Sequence, residues 1–426
     1  MDNPRYRPRI IDPMIEKYLN TFGAVCLEGA KWTGKTWSSL YHCNSSIMLG
    51  DPEGRFQNRR LAEMSPSAIL EGDTPRLIDE WQEVPPLWDA VRHQVDMRGR
   101  PGQFLLTGSS TPNRKGVLHS GAGRIASLRM RPMSLYESGD SSGRISLERL
   151  CSGEIETCLT GEVSLKKLAG LIIRGGWPAT LGMPLEQAAL LPEAYLQSIL
   201  NNDIFRIDDR KHRDASKLRL LLRSLARNEC STASIRTLTN DIRETDEGEI
   251  ETVTVREYLD IFARLFLTDD QPPFSENIRS QIRVKQSSKR HLADPSLACA
   301  LLNVTQESLI GDLATMGFLF ESLCERDLRI YAESFGGRLY HYQDYANNEI
   351  DAVVTRPDGE WCAIEIKLGA NQIDKAAKNL LTLKKKAEES TKGHPPSVLC
   401  VLCGLSNSAY RREDGVFVVP ITALRN

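Results

Sequence analysis

No long apolar run is present. Nothing in the 426 residues approaches the roughly 20 consecutive apolar residues that a membrane-spanning helix needs, so no membrane partner is expected. The basic start, Met1 to Arg9, is not followed by an apolar core of signal-peptide length, which makes a soluble, cytoplasmic protein the expectation. Net charge is almost absent: 54 Lys and Arg against 56 Asp and Glu leave −2. Such a balance excludes a chain that binds polyanions over its whole surface, so any nucleic-acid surface must be local. The 10 cysteines are too few for a compact disulfide framework in a chain of this length and read as reduced thiols. Cys400 and Cys403 are close together, but no second Cys/His pair stands at zinc spacing. They lie within the apolar run Val398 to Leu405, which reads as a buried strand. What remains is an ordinary globular composition, 41% hydrophobic and 26% charged, with length for two or three domains of ~100–200 residues.

Against that background one stretch stands out. Gly29-Ala30-Lys31-Trp32-Thr33-Gly34-Lys35-Thr36 fits G-x-x-x-x-G-K-[ST] at every fixed position. Ala24 to Leu27 before it is a short apolar run suited to a buried strand, and Trp37 to Leu40 after it can continue as a helix. Strand, glycine loop and helix aim backbone N–H groups and a helix N-terminus at one anion. Gly29 and Gly34 permit backbone angles that a Cβ would block. The reading is an ATP site: Lys35 reaches the outer phosphates, and the Thr36 hydroxyl is a hard oxygen ligand for Mg²⁺.

The strand Arg76-Leu77-Ile78 ends in Asp79 and Glu80. This is the second half of a phosphate-loop ATPase, with Asp79 holding Mg²⁺ through water and Glu80 as the general base for the attacking water. Phe104 to Ser110 is another apolar strand, ending in small hydroxyl residues. Ser109 is the first candidate to touch the γ-phosphate or its water, and Thr107 the second. Arg124, after Gly121-Ala122-Gly123, is a candidate arginine finger acting in cis or from a neighbouring copy, with Arg114, Arg129 and Arg131 competing.

These residues together resemble a family of bacterial and archaeal AAA-type ATPases whose C-terminal half is a domain of unknown function. The resemblance rests on Arg9-Ile10-Ile11-Asp12, the phosphate loop (with Ala30 where the family has proline), Asp79-Glu80-Trp81-Gln82-Glu83-Val84-Pro85 and Thr107 to Ser110. Gly123-Arg124 with Pro132, Ser134 and Glu137, Gly175-Gly176-Trp177-Pro178, and Asn202-Asp203-Ile204 extend it over nearly the whole chain. It implies an AAA-like nucleotide-binding fold. The family pattern is short between Gly139 and Leu165, so this polar segment is expected to be a loop insertion.

The expected fold class is α/β throughout. An AAA-type phosphate-loop domain spans 1–204, a winged helix 205–303 and a restriction-endonuclease-like α/β domain 304–426. Within 205–303, Lys217 to Ala226, Ser234 to Ile242 and a third helix capped by Thr254 precede a hairpin of Leu267-Thr268 with Lys289 to Leu292. The third helix mixes Arg256 and Arg264 with Glu257 and Asp260. Arg279, Arg283, Lys285, Lys289 and Arg290 form a better basic patch for DNA.

In the last domain, Gly317 to Leu328 reads as a helix. Arg338 to Gln343, Glu349 to Val354 and Trp361 to Leu368 read as strands. Thr355-Arg356-Pro357-Asp358-Gly359 is a hairpin turn. Symmetry about Asp358 places Asp351 opposite Glu365, with Lys367 two residues on, on the same face. Glu321, Asp351 and Glu365-x-Lys367 make the constellation of a restriction-endonuclease-like core: carboxylates for Mg²⁺, and a lysine to stabilise the attacking hydroxide or the phosphate. The functional expectation is an MgATP hydrolase coupled to DNA or a protein partner, with a second copy of the chain as a further candidate partner. The alternatives are an ATP-gated, metal-dependent nuclease and a nucleotide-gated interaction module without cleavage.

Overall fold

The structure is a computed structural model. It describes residues 6–111, 117–204, 214–245, 250–275, 287–344, 348–389 and 394–426. The chain divides into two compact units. The first comprises Met1–Pro132, Asn202–His212 and Asp260–Leu267; the second comprises Met133–Asn201, Arg213–Leu259 and Thr268–Asn426.

The first unit is built on five strands: β1 (Ala24–Glu28), β2 (Ser45–Met48), β3 (Arg76–Asp79), β4 (Phe104–Gly108) and β5 (Ile125–Arg129). They pair in the order β2-β3-β4-β1-β5, and every pairing is parallel. Parallel strands joined by crossovers are covered on both faces, which is why β1 is apolar from Ala24 to Leu27 and β4 from Phe104 to Leu106. Alternation sorts their side chains. Ala24, Cys26, Phe104 and Leu106 face a layer that includes Leu87, Val91 and Val95 of the helix Leu87–Arg98. Val25, Leu27, Leu105 and Leu128 face Ile15 and Leu19 of the helix Asp12–Leu19. The helical spacing of Ile15, Tyr18, Leu19 and Phe22 predicts one helix from Ile10 to Phe22, and the helix observed is shorter.

The second unit is built on a mixed seven-stranded sheet: β7 (Cys158–Leu159), β8 (Arg338–Gln343), β9 (Glu349–Thr355), β10 (Trp361–Lys367), β11 (Val398–Cys403), β12 (Ser408–Arg411) and β13 (Phe417–Pro420), in the order β7-β12-β13-β11-β10-β9-β8. The β9–β10 hairpin has the register expected from its turn, with Trp361 opposite Thr355 and Ile364 opposite Ala352. The helix Ile373–Glu389 buries Ala376, Ala377, Leu380 and Leu383 against Val353, Ala363, Leu399, Val401 and Val418. The 22-residue helix Leu313–Ser334 packs on β8, β9 and β10. Cys400 and Cys403 are buried in β11, as strand residues.

Three sequence expectations change here. The polar segment after Gly139 is not a free loop insertion. It carries β6 (Ile145–Ser146), which pairs with β14 (Leu424–Arg425), and β7, which pairs with β12. Between them Leu147, Leu150 and Cys151 are fully buried, so this stretch belongs to the sheet edge of the second unit. The helix expected to be capped by Thr254 begins at Thr252 and runs to Arg264, placing Thr254 inside it. The helix of the last domain begins at Leu313, where Asp312 caps it, rather than at Gly317. The helices Ala215–Arg227, Ile235–Thr245 and Thr252–Arg264 precede antiparallel bridges of Thr268 with Leu292 and Gln271 with Lys289.

Residues 133–201 fall in the second unit for a reason visible at Gly175-Gly176-Trp177-Pro178. Gly176 N–H donates to Asp294 Oδ2 at 3.0 Å, and Trp177 Nε1 donates to Ser296 Oγ at 2.9 Å. A Cβ on Gly176 would lie 2.2 Å from the Met133 carbonyl oxygen. One on Gly175, at φ +69°, would lie 2.4 Å from Asp294 Oδ1. Both positions therefore require glycine.

Candidate functional site

The C-terminal edge of a parallel sheet gathers the ends of its strands, and ligands of open α/β sheets bind there. In the first unit this edge brings together Gly29 to Thr36 after β1, Asp79 and Glu80 at the end of β3, and Thr107 to Ser109 at the end of β4.

The loop is shaped by its backbone. A Cβ on Gly29 would lie 2.1 Å from the Met130 carbonyl oxygen, so the loop packs closely against the chain after β5. Gly34, at φ +99°, is the N-cap of the helix Lys35–His42, and no side chain caps that end, which leaves its N–H groups for an anion. Trp32, at φ +66°, is exposed; Thr33 is buried and donates to Ala30 O at 2.9 Å. Lys35 is buried, and its Nζ donates to Gly29 O at 2.9 Å and Ala30 O at 2.8 Å. Burial pulls the Lys35 ammonium down to about 8, against the opposing pull of Glu80 and Asp79.

The acidic end of the site is a connected set. Asp79 Oδ1 accepts from Thr36 Oγ1 at 2.9 Å and Thr107 Oγ1 at 2.7 Å. Burial raises the Asp79 carboxyl, and the two hydroxyls hold it back. Thr107 Oγ1 also accepts from Glu80 N at 2.9 Å, so one hydroxyl sets the spacing of both acids. Glu80 has φ +57°, and its Oε2 accepts from Ser109 Oγ at 2.8 Å and from Gln82 Nε2. Ser109 therefore touches Glu80 directly, and Thr107 serves the acids. Gln82 had no role assigned from the sequence; its signal is the D-E-x-Q pattern itself.

Two further elements brace the loop. Buried Arg9 donates from Nη1 to Thr33 O at 2.7 Å and from Nη2 to Arg131 O at 2.9 Å. Asp12 accepts from Arg9 N at 2.7 Å and Tyr6 Oη at 2.7 Å. Arg-x-x-Asp is thus a clamp on the phosphate loop, and its spacing was the available signal. Lys31 Nζ pairs with Asp203 Oδ1 at 2.5 Å, which fastens the loop to the segment beginning at Asn202.

Arg124 lies elsewhere. Its carbonyl accepts from Ala24 N at 3.0 Å at the N-terminal edge of the sheet, and its side chain is exposed and paired with Asp96 at 2.8 Å. The length of β1, at ~3.3 Å per residue, separates it from the loop by about 15 Å. An in-cis finger is therefore corrected: Arg124 can serve only another copy. Arg129 and Arg131 lie at the loop end of β5, and Arg114 lies outside the described residues. Arg124→Ala is expected to leave nucleotide affinity unchanged. Turnover lost by that variant should return on mixing it with Glu80→Gln protein, measured as phosphate release.

Depressed Lys35 gives a pH signature. A bound phosphate favours the charged amine, so binding takes up a proton above the free-state value. Nucleotide affinity should be flat below about pH 8. It should then fall by about tenfold per pH unit until the bound-state value is reached. Calorimetry across that range checks it, and a flat profile up to pH 10 contradicts it.

The second unit holds the other expected constellation. Asp351 Oδ2 accepts from Ile366 N at 2.7 Å and Lys367 Nζ at 2.8 Å, and Lys367 Nζ also meets Glu365 Oε2 at 2.5 Å. Glu321 takes Lys289 Nζ at 2.7 Å. Burial, reinforced by Asp351, pushes Glu365 up to about 7 and Glu321 up to about 8. Asp351 is pushed up by burial too, but Lys367 and Lys289 outweigh that and hold it low. The oxygens suit a hard cation, yet each carboxylate already holds a lysine ammonium. The set as arranged does not fit a divalent ion. In the expected basic patch, Lys289 is buried and Arg290 is paired with Asp270 at 2.6 Å; Arg279, Arg283 and Lys285 lie outside the described residues.

Comparison with known proteins agrees on the first unit. The family described as "AAA domain" matches residues 21–139. The families "Domain of unknown function (DUF8612)" and "Domain of unknown function (DUF4143)" match 165–308 and 316–424. The uncharacterized proteins Rv2008c of Mycobacterium tuberculosis and Mb2031c of Mycobacterium bovis are each 23% identical over 344 residues, covering 80% of this chain and 69% of theirs. Among solved structures, the Walker-type ATPase PABY2304 of Pyrococcus abyssi has 13% identity and a TM-score of 0.41, covering 68% of this chain and 94% of its own. A RuvB mutant of Thermotoga maritima has 16% identity and a TM-score of 0.26, covering 62% and 88%. Both superpositions are loose and carry no functional weight. No helix among the described residues is long and apolar enough to cross a membrane. Residues 21–139, with the phosphate loop and the acidic strand end, match the AAA domain family, and the chain beyond them matches two domains of unknown function.

Proposed function

We propose that the chain hydrolyses MgATP at the loop edge of its first unit and uses the cycle to act on a macromolecular partner. The observation that supports hydrolysis, and not binding alone, is Glu80. Its carboxylate is held by Ser109 and Gln82 beside Asp79, and its backbone N–H is fixed by Thr107. A base positioned by neighbours that do not themselves take its proton is what water activation needs. Gly34 and the helix behind it offer N–H groups to the phosphates, and Lys35 supplies charge to the outer ones. Mg²⁺, when bound, neutralises phosphate charge, with Thr36 and Asp79 as the oxygens that would hold it. Glu80 takes the proton of the attacking water, and Arg124 of a neighbouring copy is the finger this reading assigns. Phosphate release from MgATP by the full chain tests it; no release under any assembly state overturns it.

For the partner, the helices and bridges between Ala215 and Leu292 support a winged helix, and DNA is the partner that fold suggests. Burial of Lys289 and pairing of Arg290 weaken that choice, and a protein partner gains by it. Duplex DNA that stimulates ATP turnover, with binding that weakens steeply as salt rises, would establish DNA. Absence of both at low salt leaves a nucleotide-gated interaction module.

A further inference from the structure

The carboxylates of the second unit meet cations delivered by one strand segment. Lys289 and His291 are two residues apart, so an extended backbone points both the same way. Facing them on the helix Leu313–Ser334 are Glu321 and Glu325, four residues apart and therefore neighbours on one helical face. Lys289 Nζ lies 2.7 Å from Glu321 and 3.6 Å from Glu325, and it reaches Glu349 at 3.5 Å. His291 meets Glu325 through Nε2 and Glu229 through Nδ1, the latter at 3.3 Å. Burial pulls the imidazole down, but Glu325 and Glu229 outweigh it and hold it charged, up to about 10.

The backbone fixes this arrangement. Lys289 N donates to Gln271 O and Gln271 N to Lys289 O, both at 2.9 Å. Gln271 is fully buried, and its side chain donates to Tyr340 O at 2.9 Å. Lys289 itself is 1% exposed. It cannot turn outward without unmaking that ladder, and turning elsewhere inside would leave a buried ammonium unpaired.

We infer that Lys289 is the resident counter-ion of the Glu321–Asp351–Glu365 centre, which is therefore closed to divalent cations and serves as a metal-free scaffold. Lys367 completes it, bridging Asp351 and Glu365 at 2.8 and 2.5 Å. The rival is a divalent ion, because Glu229, Glu321, Glu325, Glu349, Asp351 and Glu365 outnumber Lys289, His291, Arg329 and Lys367. This inference is independent of the ATPase reading.

The test uses the full chain without nucleotide, titrated with Mn²⁺ and followed by the magnetic resonance signal of the free ion. Wild type should bind no more Mn²⁺ than Asp351→Asn or Glu365→Gln. Lys289→Ala, which opens the centre, should gain one Mn²⁺ ion and an Mn²⁺-dependent rise in Tm, both lost in Lys289→Ala with Asp351→Asn. An Mn²⁺ ion held by wild type and lost in Asp351→Asn or Glu365→Gln overturns the inference. Should Lys289→Ala not fold with or without Mn²⁺, wild type against the two carboxylate variants still decides.

Discussion

Lys35→Ala is expected to abolish measurable nucleotide binding. Lys35 is the charged group of the loop, already buried and already oriented by Gly29 O and Ala30 O. A charge-assisted hydrogen bond contributes about 1.5–3 kcal/mol, so its loss alone weakens affinity by about ten- to a hundredfold. Alanine also leaves the loop carbonyls of Gly29 and Ala30 without their donor. Calorimetric titration with MgATP reads the effect, and equal affinity in wild type and Lys35→Ala refutes the assignment of the loop. The fold should survive the change, because in the nucleotide-free protein the buried amine is held against its preference for water, as its lowered proton affinity reports.

The largest expected loss of stability lies in the second unit, at Asp294. This carboxylate is fully buried, and one oxygen accepts from Gly176 N at 3.0 Å and Arg326 Nη1 at 2.8 Å. The other accepts from Ser296 N at 3.0 Å and Ser296 Oγ at 2.6 Å, capping the helix Pro295–Leu302. Asp294→Ala leaves the Gly176 N–H and the Ser296 groups without their acceptor and Arg326 with Asp327 as its remaining partner, and each buried donor left unsatisfied costs about 1–3 kcal/mol. Gly176→Ala should be of similar severity, since its Cβ meets a backbone oxygen and not a side chain that can move. By contrast Arg124→Ala should leave the unfolding midpoint unchanged, because the Arg124–Asp96 pair is solvated and screened. Chemical denaturation of the three variants separates these cases. A midpoint for Asp294→Ala within error of wild type would remove the motif's structural explanation.

Legibility followed the range of the interactions. The phosphate loop was readable because its chemistry is local: glycines, lysine and threonine at fixed spacing between a strand and a helix. The β9–β10 register was readable because Pro357-Asp358-Gly359 fixes a turn and strand alternation does the rest. Asp79 and Glu80 were readable only with the loop beside them, since Leu77 and Ile78 alone are a weak strand. What the residue pattern could not show is long-range. The clamp from Arg9 to Thr33, the pairing of Lys31 with Asp203, and the meeting of Gly176 with Asp294 join segments whose spacing carries no periodicity. Lys289 is the sharpest case. An isolated lysine in a basic stretch reads as a surface charge for DNA, yet a short ladder with Gln271 carries it into the interior. Arg124 misled in the opposite way, because a glycine-arginine pair after a loop says nothing about which edge of the sheet it occupies.

The central claim, that the first unit hydrolyses ATP with Glu80 as base, is tested most directly by one comparison. Wild type and Glu80→Gln are each loaded with MgATP, and bound nucleotide and released phosphate are measured on the same samples. The glutamine keeps an oxygen for Ser109 and for Gln82, so the account predicts binding equal to wild type. Removing a general base costs about 10²–10⁴-fold, so phosphate release should fall by that factor. Glu80→Gln protein that binds MgATP and releases phosphate at the wild-type rate would contradict the account.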